Sequence, residues 1–280
     1  MTTSISGPVR APLGRLLRSE LRWVLRRPRT QIALMLLALV PVLTGVGVAA
    51  AGPPVGAGLL TQIAGNGLVL PVGALSICLT LLLPLTVAMA AADALAGESA
   101  HGTLRGLLLA PISRSRLVLV KAIGVLAVAV TAVGVVTLIG IVTGLILVGP
   151  SGSAHGMLTL SGTEIGPGSG LMRVALAAIW TVGQLAAVGA VALAVSSATD
   201  HPLVVLATVL GGLIGFGILS AIPAVDWLRP LLLTTGWFAL TDVLRDPMPL
   251  AELASSSARA ACYVLLGVAL TLARTATREA

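Results

Sequence analysis

The sequence is short of almost everything that faces water. Of its 280 residues only 10% are charged and 2% aromatic, the acidic residues number ten, and there are two cysteines. Soluble domains carry about 25% charge and roughly 45–50% apolar residues. A chain that is 57% apolar, with a mean hydropathy of +1.06, lacks the polar surface to meet water all round. The same figures exclude disorder. Cys78 and Cys262, isolated in separate apolar stretches, exclude a disulfide framework or a cysteine metal motif. There is no G-x-x-x-x-G-K-S/T phosphate loop, which excludes ATP hydrolysis by that route. His101, His155 and His201 are widely separated, so no metal site is expected.

What the chain has instead is long apolar runs, at about 30–51, 68–92, 117–148, 174–198, 203–222 and 258–273. About 20 such residues cover a hydrocarbon core of about 30 Å. The runs are continuous rather than alternating, which favours helices over a barrel. The sequence therefore predicts an all-α integral membrane protein with six transmembrane helices and an N-terminal amphipathic interfacial helix. Residues 1–29 read as a cytoplasmic leader and elbow helix, and 30–280 as the membrane domain. Pro41 and Pro84 are expected to kink the first and second spans. Gly140 and Gly144, like Gly211 and Gly215, form G-x-x-x-G pairs that suit close packing within one subunit, with a dimer seam as the alternative.

Sixteen of the 17 basic residues are arginine, and the net charge is +7. In a membrane protein this excess reads as topology and contact with anionic lipid, not nucleic acid. With the N-terminus in the cytoplasm, Arg10, Arg15, Arg18, Arg22, Arg26, Arg27, Arg29, Arg105, Arg114, Arg116, Lys121, Arg274 and Arg278 fall inside. Only Arg173, Arg229, Arg245 and Arg259 fall outside. This positive-inside bias places both termini in the cytoplasm. The first apolar run, followed by Ala49-Ala50-Ala51, superficially matches a signal peptide but is too long for one.

Three segments carry further information. Residues 10–29 place Leu13, Leu16, Leu17, Leu21 and Val24 on one helical face and Arg15, Arg18, Arg22 and Arg29 on the other, with Trp23 at the interface. The loop at 93–116 contains Asp93, Glu98, Arg105, Arg114 and Arg116, with Lys121 just beyond it. Leu104, Leu107 and Leu108 cluster on one side of a short helix that Pro111 ends. The outer loop at 223–257 mixes Trp227, Trp237 and Phe238 with leucines and alternating charges, and reads as short interfacial or re-entrant helices.

Glu98, the run Gly102-Thr103-Leu104, Leu107-Leu108, Pro111 to Arg114 and Lys121 resemble the first cytoplasmic loop of ABC-2-type permeases, the membrane subunits of type V ABC transporters. The resemblance implies a coupling helix docked on a separate ABC ATPase subunit, which alone binds ATP and Mg. It makes Asp93, Glu98, His101, Gly102, Thr103, Leu104, Arg105, Leu107, Leu108, Pro111, Arg114 and Lys121 candidate coupling residues. It also implies no catalytic residue or cofactor in this chain, a second permease subunit in a homo- or heterodimer, and export of an apolar or amphipathic cargo across a bacterial plasma membrane. Arg15, Arg18, Arg22, Trp23, Trp227 and Trp237 are the candidate membrane-interface residues. The alternatives are a secondary transporter, which would place acidic groups or histidine in its spans where these runs have none, or a membrane anchor or sensor.

Overall fold

The computed structural model describes residues 13–51, 66–100, 114–149 and 157–277. A first helix, α1 (Leu13–Arg26), leads directly into α2 (Pro28–Ala51). The second span is two helices, α3 (Leu70–Thr80) and α4 (Leu82–Ala94), followed by the short α5 (Ala96–Ala100). The third is α6 (Arg114–Thr143), which closes in a π-helical turn, Gly144–Val148. The spans α7 (Pro167–Ala198) and α8 (Pro202–Ala221) follow, then two 3-10 turns, Pro223–Leu228 and Thr234–Phe238, the four-residue α9 (Ala239–Asp242), and α10 (Leu250–Thr277). Among the described residues five single helices are long and apolar enough to cross a membrane, and the bent α3–α4 pair, taken as one span, makes a sixth. The protein is thus an all-α integral membrane protein, as the apolar runs predict.

The helices extend beyond the apolar runs at several ends, because a helix needs only its central part to be apolar. Span four begins at Pro167, which suits the first helical position, where no amide hydrogen is needed. Span six begins at Leu250, so Arg259 lies well inside its helix, and Arg173, just before the fourth apolar run, lies within α7.

The two prolines behave differently. α2 runs unbroken through Pro41. Span two breaks at Leu81 (φ −147°, ψ −49°) and bends by 54°. Pro84 explains the position of that break. It offers no amide hydrogen to the Thr80 carbonyl, and its ring crowds that carbonyl, so the helix is interrupted within the preceding turn.

Helix α7 is the centre of the bundle: 56% of its membrane window is buried, against 17% for α2, 11% for α8 and 17% for α10. It packs along α10 and against α4 and α6. Lipid tails are as apolar as leucine, so helices associate here through close contact of small residues. Gly144 on α6 faces Gly67 so closely that a Cβ would lie 2.0 Å from the Gly67 oxygen, and Gly140 meets Pro71. Gly267 of α10 lies against the Ala190 backbone in the same way. The pair in span five departs from the packing reading. A Cβ on Gly211 or Gly215 would meet nothing within 4 Å among the described residues, so these glycines make no close helix contact there.

At the end of the bundle remote from α1, a two-stranded hairpin, β1 (Met157–Leu158) with β2 (Glu164–Ile165), interrupts the helical pattern. Met157 is fully buried beside Gly170. The Arg173 guanidinium donates to the Val243 carbonyl at 3.1 Å, to the Arg245 carbonyl, and to Asp246 Oδ1 at 3.0 Å. Asp246 also accepts from Thr163 Oγ1 at 3.0 Å, which ties the hairpin to the segment before α10. The short helices expected there form as 3-10 turns and α9, with Trp227 and Phe238 exposed.

Candidate functional site: a clasp at the base of the first loop

Helix α1 does not stand apart from the bundle. Leu17, Leu21 and Val24 turn toward α6, as their spacing predicts, but Glu20 falls on the same face, three residues after Leu17 and four before Val24. Gly124 on α6 receives it, since a Cβ there would meet Glu20 Cγ at 3.3 Å and Val24 Cγ2 at 3.8 Å. One turn earlier on α6, Lys121 reaches Glu20 Oε1 at 3.0 Å. The same ammonium is hydrogen-bonded to Glu98 Oε1 from α5. Lys121 is only 4% exposed, so this chain's single lysine is held between two carboxylates on two different elements.

A second ion pair lies beside the first. Arg27, in the one-residue break between α1 and α2, pairs with Asp93 at the end of α4, and Arg29 Nη1 stands 3.9 Å from the other Asp93 oxygen. The Arg27 guanidinium also lies 3.5 Å from the centre of the Trp23 ring, and Lys121 Nζ lies 5.6 Å from it. Both are within cation–π reach, so the half-exposed indole borders both cations. The third support comes from α7. Ser196 Oγ accepts from the Ala96 amide at 3.0 Å and donates to the Ala92 carbonyl at 3.4 Å, which fixes α5 where span two ends. The clasp therefore joins α1, α2, α4, α5, α6 and α7 at one end of the bundle.

Burial pushes the Glu98 carboxyl above its ordinary range. Lys121 opposes this through its charge and hydrogen bond, while the like charge of Glu20 adds to the rise. The direction follows from desolvation, which outweighs the attraction of the ammonium that the two carboxylates share.

Of the candidate coupling residues, Asp93, Glu98 and Lys121 come together here, and all three face inward. Arg114 starts α6, and its side chain is outside the description. His101, Gly102, Thr103, Leu104, Arg105, Leu107, Leu108 and Pro111 lie outside the described residues, as does the Arg15 side chain. Arg18 and Arg22 are exposed on α1, Trp227 is 71% exposed, and Trp237 is half-buried against the core.

Three participants escape a reading of composition and periodicity. Glu20 is the only acidic residue of an arginine-rich helix, and its place within the leucine stripe was the available signal. Arg27 was legible only as one of a charge run. Ser196 lies near the end of the fourth apolar run with nothing local to mark it, although it braces two helices. Deeper in the bundle, buried Gln184 donates to the Ser256 carbonyl at 3.4 Å and Trp180 Nε1 to Ser256 Oγ at 3.1 Å, a polar seam between α7 and α10.

A family model described as ABC-2 family transporter protein matches residues 15–236, which spans the whole clasp, and the chain belongs to that family. No curated protein matches the sequence.

Proposed function

We propose that this chain is the membrane-spanning subunit of an ATP-driven exporter. A separate ABC ATPase binds ATP and Mg, and the permease supplies the path and no catalytic residue. Both termini lie in the cytoplasm, so the clasp and the 93–116 loop face the ATPase across the plasma membrane surface of a bacterial cell. The observation that carries this reading is the clasp. ATP-driven closure of two ATPase subunits is a rigid-body motion, and it reaches the spans only if the loop's root is stiff. The Lys121 and Arg27 ion pairs and the Ser196 brace supply that stiffness at the ends of spans two and three.

Asp93, Glu98 and Lys121 act in this reading as positioning residues, since their charges are used within the chain. Contact with the ATPase falls to the loop itself, with Leu104, Leu107 and Leu108 as its apolar face and Arg105 and Arg114 setting register. The low burial of α8 and its open glycines support a second permease subunit along that helix. An apolar or amphipathic cargo, such as a drug, lipid or peptide, is favoured by spans whose described acidic side chains lie only at their ends.

Affinity purification in mild detergent tests the reading. It should recover a soluble subunit bearing a phosphate loop, and Gly102→Pro should remove transport-coupled ATP hydrolysis while membrane insertion persists. Recovery of the permease alone, or full coupling in that variant, would refute it.

A further inference from the structure

Between α2 and α4 lies a partly open cleft of about 250 Å³. Ile32, Leu36 and Leu37 form one wall, and Leu85 and Met89 form the other. Its polar contribution is slight: the Thr86 hydroxyl is satisfied by the Leu82 carbonyl of its own helix at 2.8 Å. At one end stands Arg29, whose side chain is 75% exposed and whose Nη1 is 3.9 Å from Asp93 Oδ1, beyond hydrogen-bond distance. Asp93 is engaged more closely by Arg27, so the Arg29 guanidinium keeps most of its hydrogen-bonding capacity. From Arg29 to Leu36 is seven residues, or about 10 Å along a helix rising 1.5 Å per residue. The cleft thus begins at a cation and runs into apolar depth over about a third of a bilayer core.

We propose that this cleft is a binding site for an anionic glycerophospholipid, with the phosphate on Arg29 and the start of one acyl chain between Leu36, Leu37 and Leu85. The pairing of a guanidinium with an apolar slot matches the two ends of such a lipid. A guanidinium binds phosphate through two parallel N–H donors. The exposed Arg22 and Arg26 of α1, which leads directly into α2, add positive potential at the same end of the bundle, which favours an anionic over a zwitterionic headgroup. The site does not depend on an ATPase partner, so its failure and the failure of the transport reading are separable.

Native mass spectrometry of the purified full chain tests the proposal, with phosphatidylglycerol and phosphatidylcholine of identical acyl chains as probes. One phosphatidylglycerol should be retained per chain, in preference to phosphatidylcholine. Arg29→Gln should weaken that retention about fivefold, and Leu36→Trp, which fills the slot without altering charge, should weaken retention of both lipids. Equal retention of the two lipids by the wild-type chain, or retention in either variant equal to wild type, would overturn the proposal. So would displacement by inorganic phosphate alone, or a disulfide between two copies of an Ile32→Cys variant, which would assign the cleft to a second chain.

Discussion

Replacing Lys121 with methionine tests whether the clasp holds α1 to the bundle. Methionine keeps the length and apolar stem of lysine but removes the cation that bridges Glu20 and Glu98, whose side chains are 14% and 10% exposed. Breaking a buried ion pair by deleting one partner costs about 3–5 kcal/mol. The lower end applies here, because burial raises the Glu98 pKa and so eases the proton uptake that would relieve the repulsion. A cost of about 3 kcal/mol, confined to the element that depends on the pair, raises the open population of α1 about a hundredfold. Hydrogen exchange in detergent micelles reads this directly: amides of residues 13–26 should exchange about a hundredfold faster, while those at the centre of α7 should not change. Adding Glu20→Leu and Glu98→Gln should restore most of the protection, because a cluster replaced whole leaves no unpaired charge. The reasoning is refuted if α1 exchange in Lys121→Met stays within threefold of wild type. It is also refuted if the three substitutions add independently, since partners in one network must couple.

Three further outcomes follow from the geometry. Glu98 should take up its proton above the ordinary glutamate range, so lowering the pH through that raised value should stabilise the folded chain relative to the unfolded one, which binds the proton only at lower pH; an infrared carboxyl band absent from Glu98→Gln reports the titration, and a pKa at or below 4.5 would contradict the burial argument. Gly144→Val should lower the melting temperature markedly, because its Cβ would lie 2.0 Å from the Gly67 oxygen, whereas Gly211→Val should leave the melting temperature of the isolated subunit unchanged and weaken only self-association measured by cross-linking. Arg173→Met should expose the hairpin and the Asp246 segment to protease at the opposite end of the bundle without changing exchange in α1, because it removes three hydrogen bonds confined to that end.

The membrane class, the number of spans and the elbow helix were legible because they rest on local periodicity and run length. Helix ends were less so: the apolar run of span four stops at 174, but the helix continues to Pro167 because Gly166 and Pro167 set its start. Pro41 and Pro84 look alike in sequence and differ in outcome, since only the second lies within a turn of a helix break. The clasp was half legible. Asp93, Glu98 and Lys121 stand out as rare charges, but their pairing with Arg27 and Glu20 spans sequence separations of up to 101 residues, which no local pattern encodes. Their inward direction depends on α1 crossing α6 at Gly124, a glycine indistinguishable by composition from the other 31.

The break at Leu81 gives span two a separate mechanical meaning at each end. Segment α3 is fitted to α6 through Pro71 and the Gly67–Gly144 contact, while α4 carries Asp93 and packs along α7. With 13 residues, α4 is a lever about 20 Å long. A change of about 10° in the 54° bend swings its far tip by roughly 3 Å while α3 stays in place. Such a joint uncouples the Asp93 end of the span from the end seated against Gly144, so the two halves of one crossing can answer to different neighbours.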